Sequence, residues 1–130
     1  MAGGRIASEV ELLRVAFPDL EYRPAGQWVR IPRHPLPDGI WSRKSAEVCF
    51  QIPENLPAQA PYGFYVRPGL SLISGGEILN YVYPAPTAFG DDWGKFSWQL
   101  LEWAPTADLV VGTNILNFAR SFMSRFQEGS

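Results

Sequence analysis

Three short runs of alternating polar and apolar residues, each closed by a proline, constrain this chain more than any other feature. Gln27-Trp28-Val29-Arg30-Ile31 breaks at Pro32, Ala46-Glu47-Val48-Cys49-Phe50-Gln51-Ile52 ends at Pro53, and Tyr62 to Val66 ends before Pro68. A period of two sends successive side chains to opposite faces of a sheet, and proline lacks the N–H that a central strand needs. Turn residues such as Asp38-Gly39 separate the runs, so consecutive antiparallel pairing, a meander, is the simplest arrangement.

Helical patterns flank these runs. Ser8-Glu9-Val10-Glu11 has the form of a capping box, with Val10, Leu13 and Phe17 on one face and Pro18 stopping the helix near Phe17. At the other end Leu109, Ile115, Leu116, Ala119, Phe122, Met123 and Phe126 recur at spacings of three and four, which predicts a core helix from about Asp108, capped by Thr106 or Asp108. Between them, Gly69 to Gly94 reads as irregular, with Gly75-Gly76, Pro84-Ala85-Pro86 and Gly90-Asp91-Asp92; so long a loop is often functional. Helix, meander, long loop, helix is the order of an α+β domain, and residues 1–130 are expected to form one such domain.

The bulk properties exclude several classes. A net charge of -2 offers no electrostatic footprint for nucleic acid or an anionic membrane, and no apolar run is long enough to span a bilayer. Met1 to Arg5 has no apolar core of a signal peptide, and a single cysteine fits a reducing cytosol. One cysteine and one histidine, His34, leave no set of ligands for the usual zinc sites. Twelve prolines, twelve glycines and five tryptophans imply sharp corners and a core built on large aromatics.

Ile52-Pro53, Pro57 and Ala60-Pro61 precede the strand Gly63-Phe64-Tyr65-Val66, with Leu56 beside them; later come Gly94-Lys95-Phe96-Ser97, Trp103-Ala104-Pro105 and the last helix. In this order they resemble the ubiquitin-conjugating (UBC) superfamily, in which a proline corner, a glycine three residues before the nucleophilic cysteine, a Trp-x-Pro motif and a core helix follow one another. Trp28, Pro35-Leu36-Pro37-Asp38-Gly39, Trp93 and Phe96-Ser97 look most like the prokaryotic UBC-like "family E" of bacterial ubiquitin-like conjugation systems. The resemblance covers roughly residues 8 to 126. It implies a UBC-like fold: an N-terminal helix, about four antiparallel strands, a long active-site loop and a C-terminal core helix. The implied function is to accept or position an activated ubiquitin-like modifier, with that modifier and a ubiquitin-activating enzyme as partners. No cofactor is implied, since the activating enzyme makes the adenylate.

Serine stands where the nucleophilic cysteine is expected. Ser97 is therefore the candidate nucleophile, forming an oxyester in place of a thioester, unless the chain is a non-catalytic variant that only binds the modifier or the activating enzyme. An unrelated α+β binding module is the third reading. A serine hydroxyl needs a base to take its proton. Asp91, Asp92, Glu102 and His34 are on offer, with Asp91 and Asp92 retained as candidates, though an acidic pair in a Gly-rich loop also serves as turn chemistry or a metal ligand. There is no His-Pro-Asn motif to supply an oxyanion donor, and Trp98-Gln99 stands where the bacterial family leads one to expect a histidine.

Trp93, Trp98 and Gln99 flank Ser97 as candidate contacts for an extended tail, the two tryptophans reading equally well as core. Trp28 and Trp103 read as anchors of the core or its edge. Cys49 shares a strand face with Glu47 and Gln51, either exposed and reactive or an inert strand residue, and His34 reads as a solvated turn histidine.

Overall fold

The computed structural model describes residues 2–130. Helix α1 (Ala2–Ala16) leads into strands β1 (Glu21–Arg23), β2 (Trp28–Pro35), β3 (Ser45–Gln51), β4 (Phe64–Arg67), β5 (Tyr81–Thr87) and β6 (Gly90–Phe96), and helix α2 (Ile115–Glu128) follows. All neighbours in the sheet are antiparallel, in the order β1-β2-β3-β4-β6-β5. The first four strands form the expected meander, and β6 then inserts between β4 and β5.

Alternation decides which side chains meet the helices. Val29, Ile31, Val48, Phe50, Phe64, Val66 and Phe96 are buried on one face, against Val10 and Leu13 of α1 and the aromatic stripe of α2. Phe122 stacks on Phe64 with ring centroids 4.0 Å apart, and Phe118 meets Phe50 edge-on at 5.4 Å. Truncating one such ring to alanine removes about 3–5 kcal/mol, so this layer sets the position of the helix on the sheet.

Several boundaries differ from the sequence expectations. Strand β2 runs on through Pro32 to Pro35, with a register irregularity between Ile31 and His34. Strand β1 pairs only with Trp28 to Arg30, so beyond them β2 has a free edge where a missing N–H costs nothing. The stretch from Gly69 to Gly94, expected to be a loop, holds β5 and most of β6, which pair as a hairpin. Two register irregularities bend this hairpin, and its tip folds back across the face of the sheet away from the helices. There Arg23 donates to the carbonyl of Ala88 at 2.6 Å and stacks on Phe89 at 4.3 Å.

Helix α1 begins upstream of Ser8, which is an exposed mid-helix residue rather than its cap. Helix α2 begins at Ile115, not near Asp108. Asn114 caps it in a reciprocal box with Asn117, while the Asp108 carboxylate accepts instead from the N–H of Val110, within the preceding loop. Glu9, fully buried on α1, reaches across to accept from the N–H of Ile115 at 2.8 Å and from Arg5 at 2.9 Å. The carboxylate thus sits at the positive end of the α2 dipole and fastens the two helices together. Among the described residues, no helix is long and apolar enough to cross a membrane.

His34 is not a solvated turn residue. It is 4% exposed on β2, among Phe17, Phe122 and Phe126, and its Nδ1–H donates to the carbonyl of Pro35 at 2.8 Å. Burial pushes its pKa below the ordinary value, against the opposing pull of the Pro35 carbonyl.

Two outcomes follow from these buried polar groups. Because the folded state binds the His34 proton less readily than the unfolded chain, stability is complete above about pH 6.5 and declines as pH falls below it, by up to about 1.4 kcal/mol per pH unit. His34→Phe should flatten that slope in urea titrations run across this range; an unchanged slope refutes the assignment. Glu9→Ala leaves the N–H of Ile115 and the Arg5 guanidinium without their partner, and should lower unfolding free energy by about 3 kcal/mol. A loss under about 1 kcal/mol, the scale of an exposed ion pair, would show the clasp to be dispensable.

Candidate functional site

Gly94, Ser97 and the Trp-x-Pro segment are held together by a few specific contacts at one end of the sheet. Gly94 pairs with Val66 across the β4–β6 ladder. A Cβ there would collide with the ring and hydroxyl of Tyr81, so glycine leaves the space that Tyr81 fills. The Tyr81 hydroxyl in turn accepts from the N–H of Leu70 at 3.0 Å, tying the start of β5 to the segment that follows β4.

Ser97 directly follows β6. Its N–H donates to the carbonyl of Asn80 at 2.9 Å, and the next residue, Trp98, accepts from the N–H of Gly63 at 2.7 Å. Phe96 before it is buried in the core, and Trp98 after it packs inward with its Nε1 donating to Ser121 on α2 at 2.9 Å. Both neighbours turn inward, so the Ser97 side chain is exposed. Among the described residues, no side chain or main-chain group hydrogen-bonds its hydroxyl.

The proline corner and the Trp-x-Pro segment touch directly. Trp103 donates from Nε1 to the carbonyl of Pro57 at 2.8 Å. Ala104 and Thr113 close the following loop by two bonds, Gly112 lies so near Thr106 that a Cβ would clash, and Arg5 of α1 reaches the Thr106 carbonyl at 2.6 Å. An open groove of about 660 Å³ is lined in part by Gln59, Tyr62, Tyr65 and Lys95; Ser97 is not among its lining residues.

The acidic candidates stand elsewhere. Asp91 and Asp92 are exposed at the start of β6, whereas Ser97 follows its end, a strand length on the order of 15 Å away. That is far beyond hydrogen-bond reach, and Asp92 faces Arg67 at 3.6 Å. His34 is enclosed in the core, and Glu102 is exposed on the loop after Ser97. Among the described residues, no three His, Cys, Asp or Glu side chains converge where a metal ion could bind.

Trp93 is fully buried. It faces away from the helices, under the folded hairpin, with the Arg67 guanidinium 4.5 Å above its ring and Phe89 6.1 Å away. Trp98 is half-buried and committed to α2, so of the three flanking residues Gln99 alone is exposed. Trp28 and Trp103 are both half-buried, at the edges of packed layers.

Cys49 shares the face of Glu47 and Gln51 as its alternation requires, but the hairpin covers it completely. Burial pushes the Cys49 thiol up to about 12, with Thr87 and Arg67 opposing only partly. Beside it, burial raises the Glu47 carboxyl, but bonds from Arg67 at 3.0 Å and Arg30 at 2.6 Å outweigh this and hold it below the usual range. Neither Tyr81 nor the covering hairpin was visible as a functional element in the sequence. The Gly94 position was, and the tyrosine is what occupies the space it leaves.

Residues 17–120, most of the chain, match the family described as Prokaryotic E2 family E. The chain therefore belongs to this family, which places it among the UBC-like proteins of ubiquitin-like conjugation. No curated protein and no solved structure matches it.

The enclosure of Cys49 has a measurable consequence. In native protein a thiol reagent such as DTNB should modify it more than about tenfold more slowly than in denatured protein. Equal rates would mean that the hairpin does not cover the thiol.

Proposed function

We propose that this protein binds a ubiquitin-like modifier and its activating enzyme and holds the modifier's activated C-terminus beside Ser97. The observation that carries this reading is the enclosure of the single thiol. A conjugating enzyme of the usual kind carries the modifier on a cysteine thiolate, and Cys49 is buried with its pKa pushed up to about 12. A positioning role needs no nucleophile. It also needs no base, and Asp91 and Asp92 lie at the far end of β6 from Ser97.

A second reading is favoured by the exposure of Ser97. With a base supplied by a bound partner, its Oγ would attack the thioester carbonyl carbon of the modifier held on the activating enzyme. The new C–O bond forms as the C–S bond breaks, the activating enzyme's thiolate leaves, and the hydroxyl proton passes to the partner's base.

Intact-mass analysis with ATP, a ubiquitin-like protein and the activating enzyme that charges it separates the two. The positioning role predicts a stable complex and no covalent adduct. An adduct that resists thiol reductant, is cleaved by hydroxylamine and disappears in Ser97→Ala establishes the oxyester instead. A reductant-sensitive adduct lost in Cys49→Ala, or no binding at all, defeats both.

A further inference from the structure

We propose that the edge of β5 takes the C-terminal tail of the modifier as an added antiparallel strand, ending at Ser97; this rests on the reading that the protein handles such a modifier. A sheet of open order has two edges, and here they differ. On one side β1 is three residues long with Glu21 and Arg23 engaged in ion pairs, and the free end of β2 beyond it carries Pro32 and Pro35, features that protect an edge from pairing. The β5 edge is protected only in its second half, where Pro84 and Pro86 have no N–H and the hairpin folds away over the sheet.

The half beside Ser97 is open. Among the described residues, no group outside the β5–β6 ladder bonds the main chain of Tyr81, Val82 or Tyr83. The Asn80 carbonyl points toward β6, where it accepts from Ser97, so alternation turns the N–H and C=O of Tyr81 outward. Apolar side chains cluster at this open stretch: Leu79 is 55% exposed, Val82 62% and Tyr83 54%. Unpaired main chain flanked by exposed apolar side chains is the combination that recruits another strand.

The geometry selects the occupant. A second copy pairing through so few residues would bury far less than the roughly 800 Å² per partner of a stable interface. A tail delivered by a bound modifier needs no such area, because the rest of the modifier supplies the affinity. Its direction is also set. Strand β5 starts beside Ser97 and runs away from it, so a tail whose C-terminus must arrive at Ser97 runs against β5. The added strand lies about 10 Å from β6, two strand spacings, and roughly three extended residues beyond the paired segment cover that distance. The paired part of the tail is then extended and free of proline.

Amide hydrogen exchange on the labelled protein tests this, using the same purified ubiquitin-like protein and a version truncated before its tail. Full-length modifier should slow exchange at Tyr81 by about tenfold or more, and the truncated form should leave it unchanged. Val82→Lys should weaken binding by about tenfold, while Ile73→Lys, at an apolar residue equally 62% exposed on another loop, should not. Full-length modifier that binds without slowing Tyr81 overturns the proposal and leaves the proposed function standing. Tyr81 protection that grows with protein concentration in the absence of modifier also overturns it, in favour of a second copy. No binding of the modifier removes the proposed function itself.

Discussion

The stacking of Phe122 on Phe64, at 4.0 Å between ring centroids, is the contact on which the rest of the molecule is assembled. Phe64 also stacks on Phe96 at 5.1 Å, so one helix residue reaches through a strand ring to the strand that leads into Ser97. Phe126, a turn further along α2, meets Phe96 and Trp41, and Trp41 donates to the carbonyl of Phe126 at 2.9 Å. Domains of this size hold together by about 5–15 kcal/mol in total, and one such ring carries a large fraction of it. The place of Ser97 is therefore a property of the core rather than of the loop after it.

The sequence elements that resemble a conjugating enzyme are one mechanical unit. Trp103 is tied to the proline corner, Trp98 to Gly63 and α2, and Arg5 with Glu9 ties α1 to both the loop after Trp103 and the start of α2. These contacts arrange a surface around an exposed residue and do nothing to activate it. A fold can keep that surface when the nucleophile has changed, since positioning depends on packing whereas chemistry depends on one atom and its base.

The hairpin β5–β6 converts the second face of the sheet from a solvated surface into a thin buried layer. Its tip meets Arg23, and beneath it Arg67 lies over Trp93 and bridges to Glu47. Paired charges and aromatic rings, rather than aliphatic side chains, fill this layer. These ion pairs, which join β2, β3 and β4, stand about a quarter exposed and so contribute little to stability. The thiol of Cys49 is lost to chemistry as a consequence of this covering.

What the sequence by itself determined is the α+β class, the existence of three strands around Val29, Val48 and Tyr65, the apolar face of α2 and the membership in a UBC-like family. Each rests on a local period or on an ordered set of motifs, and these are readable along the chain. Tertiary structure decided the rest. Pro84, Pro86, Gly90 and Gly94 erase the strand signal of β5 and β6, which form because β4 offers a pairing edge and Tyr81 fits the space above Gly94. Cys49 lies on a face whose burial depends on a hairpin far along the chain, Trp93 is enclosed within that same hairpin, and the burial of His34 depends on a helix nearly ninety residues away. Distance from Asp92 to Ser97 follows from their lying at opposite ends of one extended strand, a fact that spacing alone does not carry until the strand is known.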